Sequence, residues 1–117
     1  ILGICYGMEI LYHFYYKKQV KLLNNRNVSR QNVVLDQRYN ISQKLGKCLC
    51  DVKFNHKYYC PHIYDGVISH IMYDDGKKNP VYIPSFVKFS DNCYAIQFHI
   101  KNYSRLEHLV NTIFKLY

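Results

Sequence analysis

The stretch that decides the fold is the first one, Ile1–Tyr16, ILGICYGMEILYHFYY. Cys5 stands between Gly3 and Gly7, where a short apolar run gives way to a run with helical spacing. Gly-x-Cys-x-Gly is the thiol form of the nucleophile elbow, a sharp strand-to-helix turn whose central residue is forced into strained backbone geometry. Glycines suit such a turn because side-chain carbons would otherwise meet neighbouring backbone. The sulfur is then held at a strand end over the first turn of a helix, where the helix dipole favours thiolate. A buried strand cysteine followed by a glycine turn is the other reading of these five residues.

Downstream of the elbow, Met8, Leu11, Tyr12 and Tyr15 recur at spacings of three and four, with Ile10 and Phe14 adding a second pair. This predicts a helix from Met8 to about Lys17, ended by the Lys17-Lys18 pair. Gln19–Leu23 reads as a short strand, the polar residues 24–31 as a loop, and Asn32–Leu35 as a second short strand. Asp36–Gly46 reads as loop with a helical turn. Lys47–Phe54 alternates, with Cys48, Cys50, Val52 and Phe54 on one face, and predicts a half-buried strand. Tyr64–Met72 contains a further strand, then a turn at Asp74-Asp75-Gly76. Short strands are expected at Val81–Ile83, Val87–Phe89 and Tyr94–His99. Ser104 and Glu107 form a capping-box pattern ahead of an apolar stripe of Leu106, Leu109, Val110, Ile113 and Phe114. That helix reads as packing, with His108 on its polar side.

A chain of 117 residues holds at most one domain, and 49 % hydrophobic with 16 % aromatic residues argues for a folded one. No apolar run approaches the roughly 20 residues that span a bilayer, and nothing resembles a signal peptide, so a cytoplasmic protein without membrane contact is expected. Five cysteines, an odd number, fit free thiols better than a disulfide framework. The net charge of +8 is scattered in pairs such as Lys77-Lys78 rather than gathered into a stripe, so nucleic acid is not the expected partner. Cys48-x-Cys50, His56 and Cys60-x-His62 lack the C-x₂₋₄-C spacing of zinc pairs. They read as cysteines in or near the core with exposed histidines, and no metal is expected.

A cysteine nucleophile needs a base, usually histidine, and a third group to orient it. His99 is the best placed of six histidines because it ends the apolar strand YAIQFH, and strand ends face the ligand crevice of open α/β sheets. Taken together, GICYGME at residues 3–9 and YAIQFH at 94–99 resemble the class I, or triad, glutamine amidotransferases, whose usual patterns are G-I-C-Y-G-M-Q and Y-G-V-Q-F-H-P-E. Gly66-Val67-Ile68-Ser69-His70 resembles their V-W-M-S-H-G-D segment, and residues 25–28 resemble the stretch around R-E-F-G. The C-Y-G-M form and the S-H segment look closest to the glutaminase domain of GMP synthase.

The resemblance implies a flavodoxin-like α/β domain that hydrolyses glutamine to glutamate and ammonia without a cofactor. It implies Cys5 as nucleophile, His99 as the base that passes the thiol proton to departing ammonia, and the Tyr6 backbone amide as an oxyanion donor. Position 9 and the backbone around Ser69 and His70 would hold the substrate, and an ATP-dependent synthetase domain or subunit would receive the ammonia. Four residues depart from the pattern. Lys101 stands where the family has the glutamate that orients the imidazole; it cannot accept the imidazole proton, and it disfavours the imidazolium formed in catalysis. Asn102, one position out of register, is the candidate substitute. Glu9 replaces a substrate-contacting glutamine and adds charge near the substrate carboxylate. Ile71 and Met72 replace glycine and aspartate, removing backbone freedom at a ligand-facing turn. The family's second oxyanion donor comes from a glycine-rich loop ahead of the elbow, and only Ile1 and Leu2 precede Gly3 here. Residues 1–117 are therefore expected to be the C-terminal portion of such a domain, N-terminally incomplete, either impaired in catalysis or a pseudoenzyme that serves as a binding scaffold.

Overall fold

The computed structural model describes residues 1–74 and 81–115. Asp75 and Gly76 of the expected turn lie outside the described residues. The order of elements is β1 (Leu2–Ile4), α1 (Tyr6–Tyr16), β2 (Lys21–Val34), α2 (Asn40–Leu45), β3 (Cys48–Tyr59), β4 (Val67–Tyr73), β5 (Val81–Ser90), β6 (Cys93–Ile96) and α3 (Tyr103–Phe114). Four strands form a sheet in the order β1-β6-β5-β4, and β2 with β3 forms a separate antiparallel pair. β1 lies parallel to β6, with Leu2, Gly3 and Ile4 opposite Tyr94, Ala95 and Ile96. The remaining neighbours, β6-β5 and β5-β4, are antiparallel.

Two apolar clusters hold these layers together. The larger joins Phe86, Ile96 and Phe98 to Val52 and Phe54 of β3 and to Leu109 and Ile113 of α3. The smaller seats Met8 and Tyr12 of α1 on Val87 and Ala95, with Cys60 and Ile63 closing one side. Met8, Glu9 and Tyr12 are the buried residues of α1; Ile10 and Phe14, the second apolar pair of the sequence pattern, face solvent.

The long polar strand departs from the sequence reading. Residues 24–31 carry no apolar alternation, yet they belong to the single strand β2, because β3 supplies a partner from Asn27 to Gln31. Their polar side chains are satisfied across and along the hairpin. Asn27 Nδ2 meets His56 Nε2 at 3.0 Å, Ser29 Oγ donates to Asn27 Oδ1 at 2.8 Å, and Gln31 Nε2 donates to Ser29 Oγ at 2.9 Å. His56 is thus buried rather than exposed, its other nitrogen 2.7 Å from the Tyr58 carbonyl oxygen, and burial lowers its pKa. The loop expectation survives only between Leu22 and Asn27, where the pairing slips by several residues.

A second irregularity, between Gln31 and Val33, is a bulge in β3 at Cys50–Asp51, with Asp51 at φ 53°. The extra residue reverses the in–out alternation. Val52 and Phe54 keep the core face, whereas Cys48 and Cys50 leave it and Leu49 packs inward. At the other end of the chain, α3 starts two residues earlier than the capping box suggests. Asn102 is its N-cap, and its Oδ1 accepts the Arg105 amide at 3.1 Å.

β3 also reaches the main sheet. The Lys53 amide donates to the His99 carbonyl at 3.0 Å, and the His99 amide donates to the Lys53 carbonyl at 2.8 Å. The β2-β3 hairpin therefore lies against the chain just beyond the C-terminal end of β6. Its other strand is tied to β4, where the Asn25 amide donates to the Tyr73 hydroxyl at 2.9 Å and that hydroxyl donates to the Asn25 carbonyl at 2.7 Å.

The two glycines of the elbow differ in what they permit. A methyl group at Gly3 would sit 2.8 Å from the Gly7 carbonyl carbon and 2.6 Å from Leu11 Cδ1, whereas one at Gly7 would meet nothing within 4 Å. Gly3 is where strand and helix cross; Gly7, expected to share that role, is not sterically required. Gly3→Ala is expected to lower stability by about 1–3 kcal/mol, as overpacking does. Gly7→Ala is expected to be neutral or to stabilise by up to about 1 kcal/mol through helix propensity. Urea unfolding of the two variants beside the wild type checks both signs.

Candidate active site

Cys5 sits at φ 53° and ψ −104°, a region that residues with a side chain rarely occupy. Such strain costs on the order of 1–3 kcal/mol and persists only where surrounding structure enforces it. Three bonds enforce it here. The Cys5 amide donates to the Ile96 carbonyl at 2.7 Å, and the Cys5 carbonyl accepts the Met8 and Glu9 amides at 3.0 and 3.3 Å. The first welds the turn to the end of β6, and the others open α1. The elbow expected from Gly-x-Cys-x-Gly is therefore present, with its sulfur between a parallel strand end and a helix start.

Around that sulfur, the Gln97 side-chain amide donates to Cys5 Sγ at 3.8 Å, and the thiol points to the Asn55 carbonyl oxygen of β3, also at 3.8 Å. Gln97 is fully buried, and its Oε1 has no hydrogen-bond partner among the described residues. Burial raises the Cys5 pKa first and the Glu9 carboxylate raises it further. The Gln97 amide, the Tyr6 backbone amide and Arg26 act in the opposite direction without cancelling the rise. Arg26 reaches this place by donating from Nη1 to Asn55 Oδ1 at 2.9 Å. The helix start thus does not make Cys5 a ready thiolate, because burial, and after it the Glu9 carboxylate one turn in, holds the thiol up. Glu9 is itself pushed upward by burial.

His99 follows Gln97 by two residues and is exposed, while Phe98 and Ile100 on either side are buried. It is not one of the hydrogen-bond partners of Cys5 Sγ. Its backbone pairs with Lys53, and the Asn55 carbonyl that faces the sulfur lies two residues along the same strand. Two residues of strand span roughly 7 Å, so β3 brings both groups to one neighbourhood without joining them. At the third position, Lys101 is exposed beside Lys53, and its pKa is lowered first by contact with the Lys53 amine and also by Arg30. Cations therefore gather where an orienting carboxylate would stand. Asn102 offers no substitute, since its side chain caps α3.

The remaining expected residues divide between the two edges of the sheet. Tyr6 presents its amide to the sulfur while its ring is exposed. Glu9 lines a cavity of about 330 Å³ with Tyr6, Ile10 and His13, on the helix side of the elbow. Ser69 is level with Phe86, Ile96 and Ile4 across the sheet, on the far strand β4. Three strand spacings, about 14 Å, separate it from β1. Ser69 is buried, and its carbonyl accepts from Ser85 Oγ at 3.2 Å. His70 is drawn down in pKa by burial and lines a cavity of about 630 Å³ with Arg38, Tyr39 and Asp65. Gln97, Asn55, Arg26 and Lys53 were not among the expected site residues. Gln97 carried a signal in its place inside YAIQFH, and Arg26 in the segment 25–28 that resembles the R-E-F-G stretch.

The model of the family described as glutamine amidotransferase class-I matches residues 1–111. The chain belongs to the class-I glutamine amidotransferases. Its fold is accordingly flavodoxin-like α/β, here with one parallel pair, β1-β6, extended by antiparallel strands. Domains of this family use glutamine and pass ammonia to a partner synthase. No curated protein matches the chain. No helix among the described residues is long and apolar enough to cross a membrane.

Glu9→Gln removes the carboxylate that, after burial, raises the Cys5 pKa. The pH midpoint for alkylation of Cys5 by iodoacetamide is expected to move to lower pH, and the rate at pH 7 to rise severalfold, because the thiolate is the reacting form. Peptide-resolved labelling across a pH series reads both.

Proposed function

We propose that this domain is a glutaminase of the GMP synthase type whose hydrolytic step is impaired at the third position of the triad. The observation that carries the reading is the strained elbow at Cys5, bonded to the end of the strand that leads to His99. The combination of φ 53° and ψ −104° at a strand-to-helix turn fits a nucleophile that must stand clear of its strand. The resemblance of C-Y-G-M and of Ser69-His70 to the GMP synthase glutaminase supports the subtype. An ATP-dependent synthetase domain or subunit is the ammonia acceptor of that type, and the cytoplasm its compartment.

In the proposed reaction, Cys5 Sγ attacks the side-chain carbonyl carbon of glutamine. The thiol proton passes to His99 and then to the departing nitrogen, leaving a glutamyl thioester and ammonia; water hydrolyses the thioester. The Tyr6 amide stabilises the oxyanion. Since the thiol points at the Asn55 carbonyl, it must leave that contact before His99 takes the proton. Loss of the orienting acid in a serine triad lowers turnover about 10⁴-fold, the scale of impairment attributed here to Lys101.

A second reading, a pseudoenzyme that binds a ligand or protein on this scaffold, is favoured by the same three facts: Lys101 beside Lys53, buried Glu9, and a sulfur bonded away from His99. Glutamine hydrolysis separates the two. In the first reading the wild type releases ammonia slowly, Cys5→Ala abolishes it, and Lys101→Glu raises turnover by as much as about 10⁴-fold. Folded protein with no release from the wild type or from Lys101→Glu contradicts the glutaminase and leaves the scaffold.

A further inference from the structure

The bulge in β3 does more than reverse the strand's alternation. It brings Cys48 Sγ and Cys50 Sγ to 3.4 Å from each other, on the side of the hairpin away from the elbow and next to α3. Both thiols are free, Cys50 exposed and Cys48 half-buried. The turn that holds them is pinned from three directions. Arg105 Nη2 of α3 donates to the Cys50 carbonyl, the Asp51 amide donates to Asn32 Oδ1 at 2.9 Å, and Arg30 pairs with Asp51 at 3.2 Å. A groove of about 470 Å³, lined by both cysteines, Arg105 and His108, gives small molecules access to the pair.

We propose that Cys48 and Cys50 form a reversible dithiol–disulfide site, oxidised by a small hydroperoxide entering this groove. Closing 3.4 Å to the about 2.05 Å of a disulfide asks the two sulfurs to approach by only about 1.4 Å. Exposure makes Cys50 the attacking group. Its thiolate takes the distal oxygen of the hydroperoxide, the O–O bond breaks, and an alcohol leaves, or water where the oxidant is hydrogen peroxide. The resulting sulfenic acid at Cys50 is attacked by the Cys48 sulfur. An S–S bond forms, the S–O bond breaks, and hydroxide departs with the Cys48 proton as water. The two thiols lose two electrons in all and the hydroperoxide gains them. Burial raises the Cys48 pKa first and the contact with Cys50 raises it further, while Arg105 acts on Cys48 with the opposite sign. This site is independent of the glutaminase reading, since neither sulfur touches Cys5 or His99.

The sequence makes the test direct. Trypsin cuts after Lys47 and Lys53, releasing CLCDVK with both cysteines in one peptide. The folded chain is treated with substoichiometric hydrogen peroxide, remaining thiols are blocked, and the digest is weighed. The expected peptide lacks two hydrogens, takes up no blocking reagent, and regains both thiols with dithiothreitol. In Cys48→Ser the oxidation is expected to stop at a Cys50 sulfenic acid that dimedone traps, with trapping at least tenfold above that in wild type. A wild-type peptide that keeps both thiols, or dimedone trapping equal in wild type and Cys48→Ser, overturns the proposal. The contact that pins the bulge to α3 uses the Cys50 backbone, and circular dichroism of Cys48→Ser verifies that the fold is retained.

Discussion

One backbone hydrogen bond, from the Cys5 amide to the Ile96 carbonyl at 2.7 Å, fixes the relation on which everything else turns. It extends the three-residue parallel pairing of β1 and β6 by one step and, in doing so, locks Cys5 into a conformation it would leave if free. The crossing of α1 over β1 at Gly3 supplies the second restraint. Ends of the chain more than ninety positions apart are joined at this point, and α1 is thereby laid on Val87 and Ala95. Without that weld there is no elbow, and the strand that leads to His99 has no edge neighbour.

The β2-β3 hairpin then determines what the elbow faces. β3 pairs its Lys53 backbone with His99 and presents the Asn55 carbonyl to Cys5 Sγ. The same hairpin carries Arg26 toward the sulfur and Lys53 toward Lys101. The electrostatics of the site are therefore set by residues of one hairpin and by Glu9, not by the three triad positions alone. A buried carboxylate near the thiol and cations near the imidazole are the reverse of what thiolate–imidazolium chemistry asks for. Family membership and these departures in charge coexist in one scaffold because the backbone geometry depends on packing, whereas the charges depend on a few side chains.

Much of this was legible in the sequence where the signal was local. Gly-x-Cys-x-Gly reports a backbone demand, the spacing of Met8, Leu11 and Tyr12 reports a helix face, and YAIQFH reports a buried strand. What stayed hidden was partnership at a distance. Residues 24–31 look like loop because their polar groups need a partner strand to be satisfied, and Asn27–His56 supplies one from twenty-nine positions away. The bulge at Cys50–Asp51 has no periodic signature, so the in–out reading of Cys48 and Cys50 followed the ideal pleat and failed. Asn102 outcompeted Ser104 as cap because its side chain reaches the Arg105 amide, a choice between two good capping residues that composition does not decide. Likewise, nothing in the sequence marks Asn55 or Lys53 as neighbours of the site.

The central claim is that Cys5, alone among five thiols, is held as a nucleophile toward a glutamine side chain. Labelling with a glutamine analogue that carries an electrophilic carbon in place of the amide tests it most directly, read as the modified peptide and as protection by L-glutamine. The result expected is slow, saturable modification confined to Cys5 and suppressed by L-glutamine but not by D-glutamine. Modification spread over the exposed thiols in proportion to their accessibility, or unchanged by L-glutamine, would contradict it.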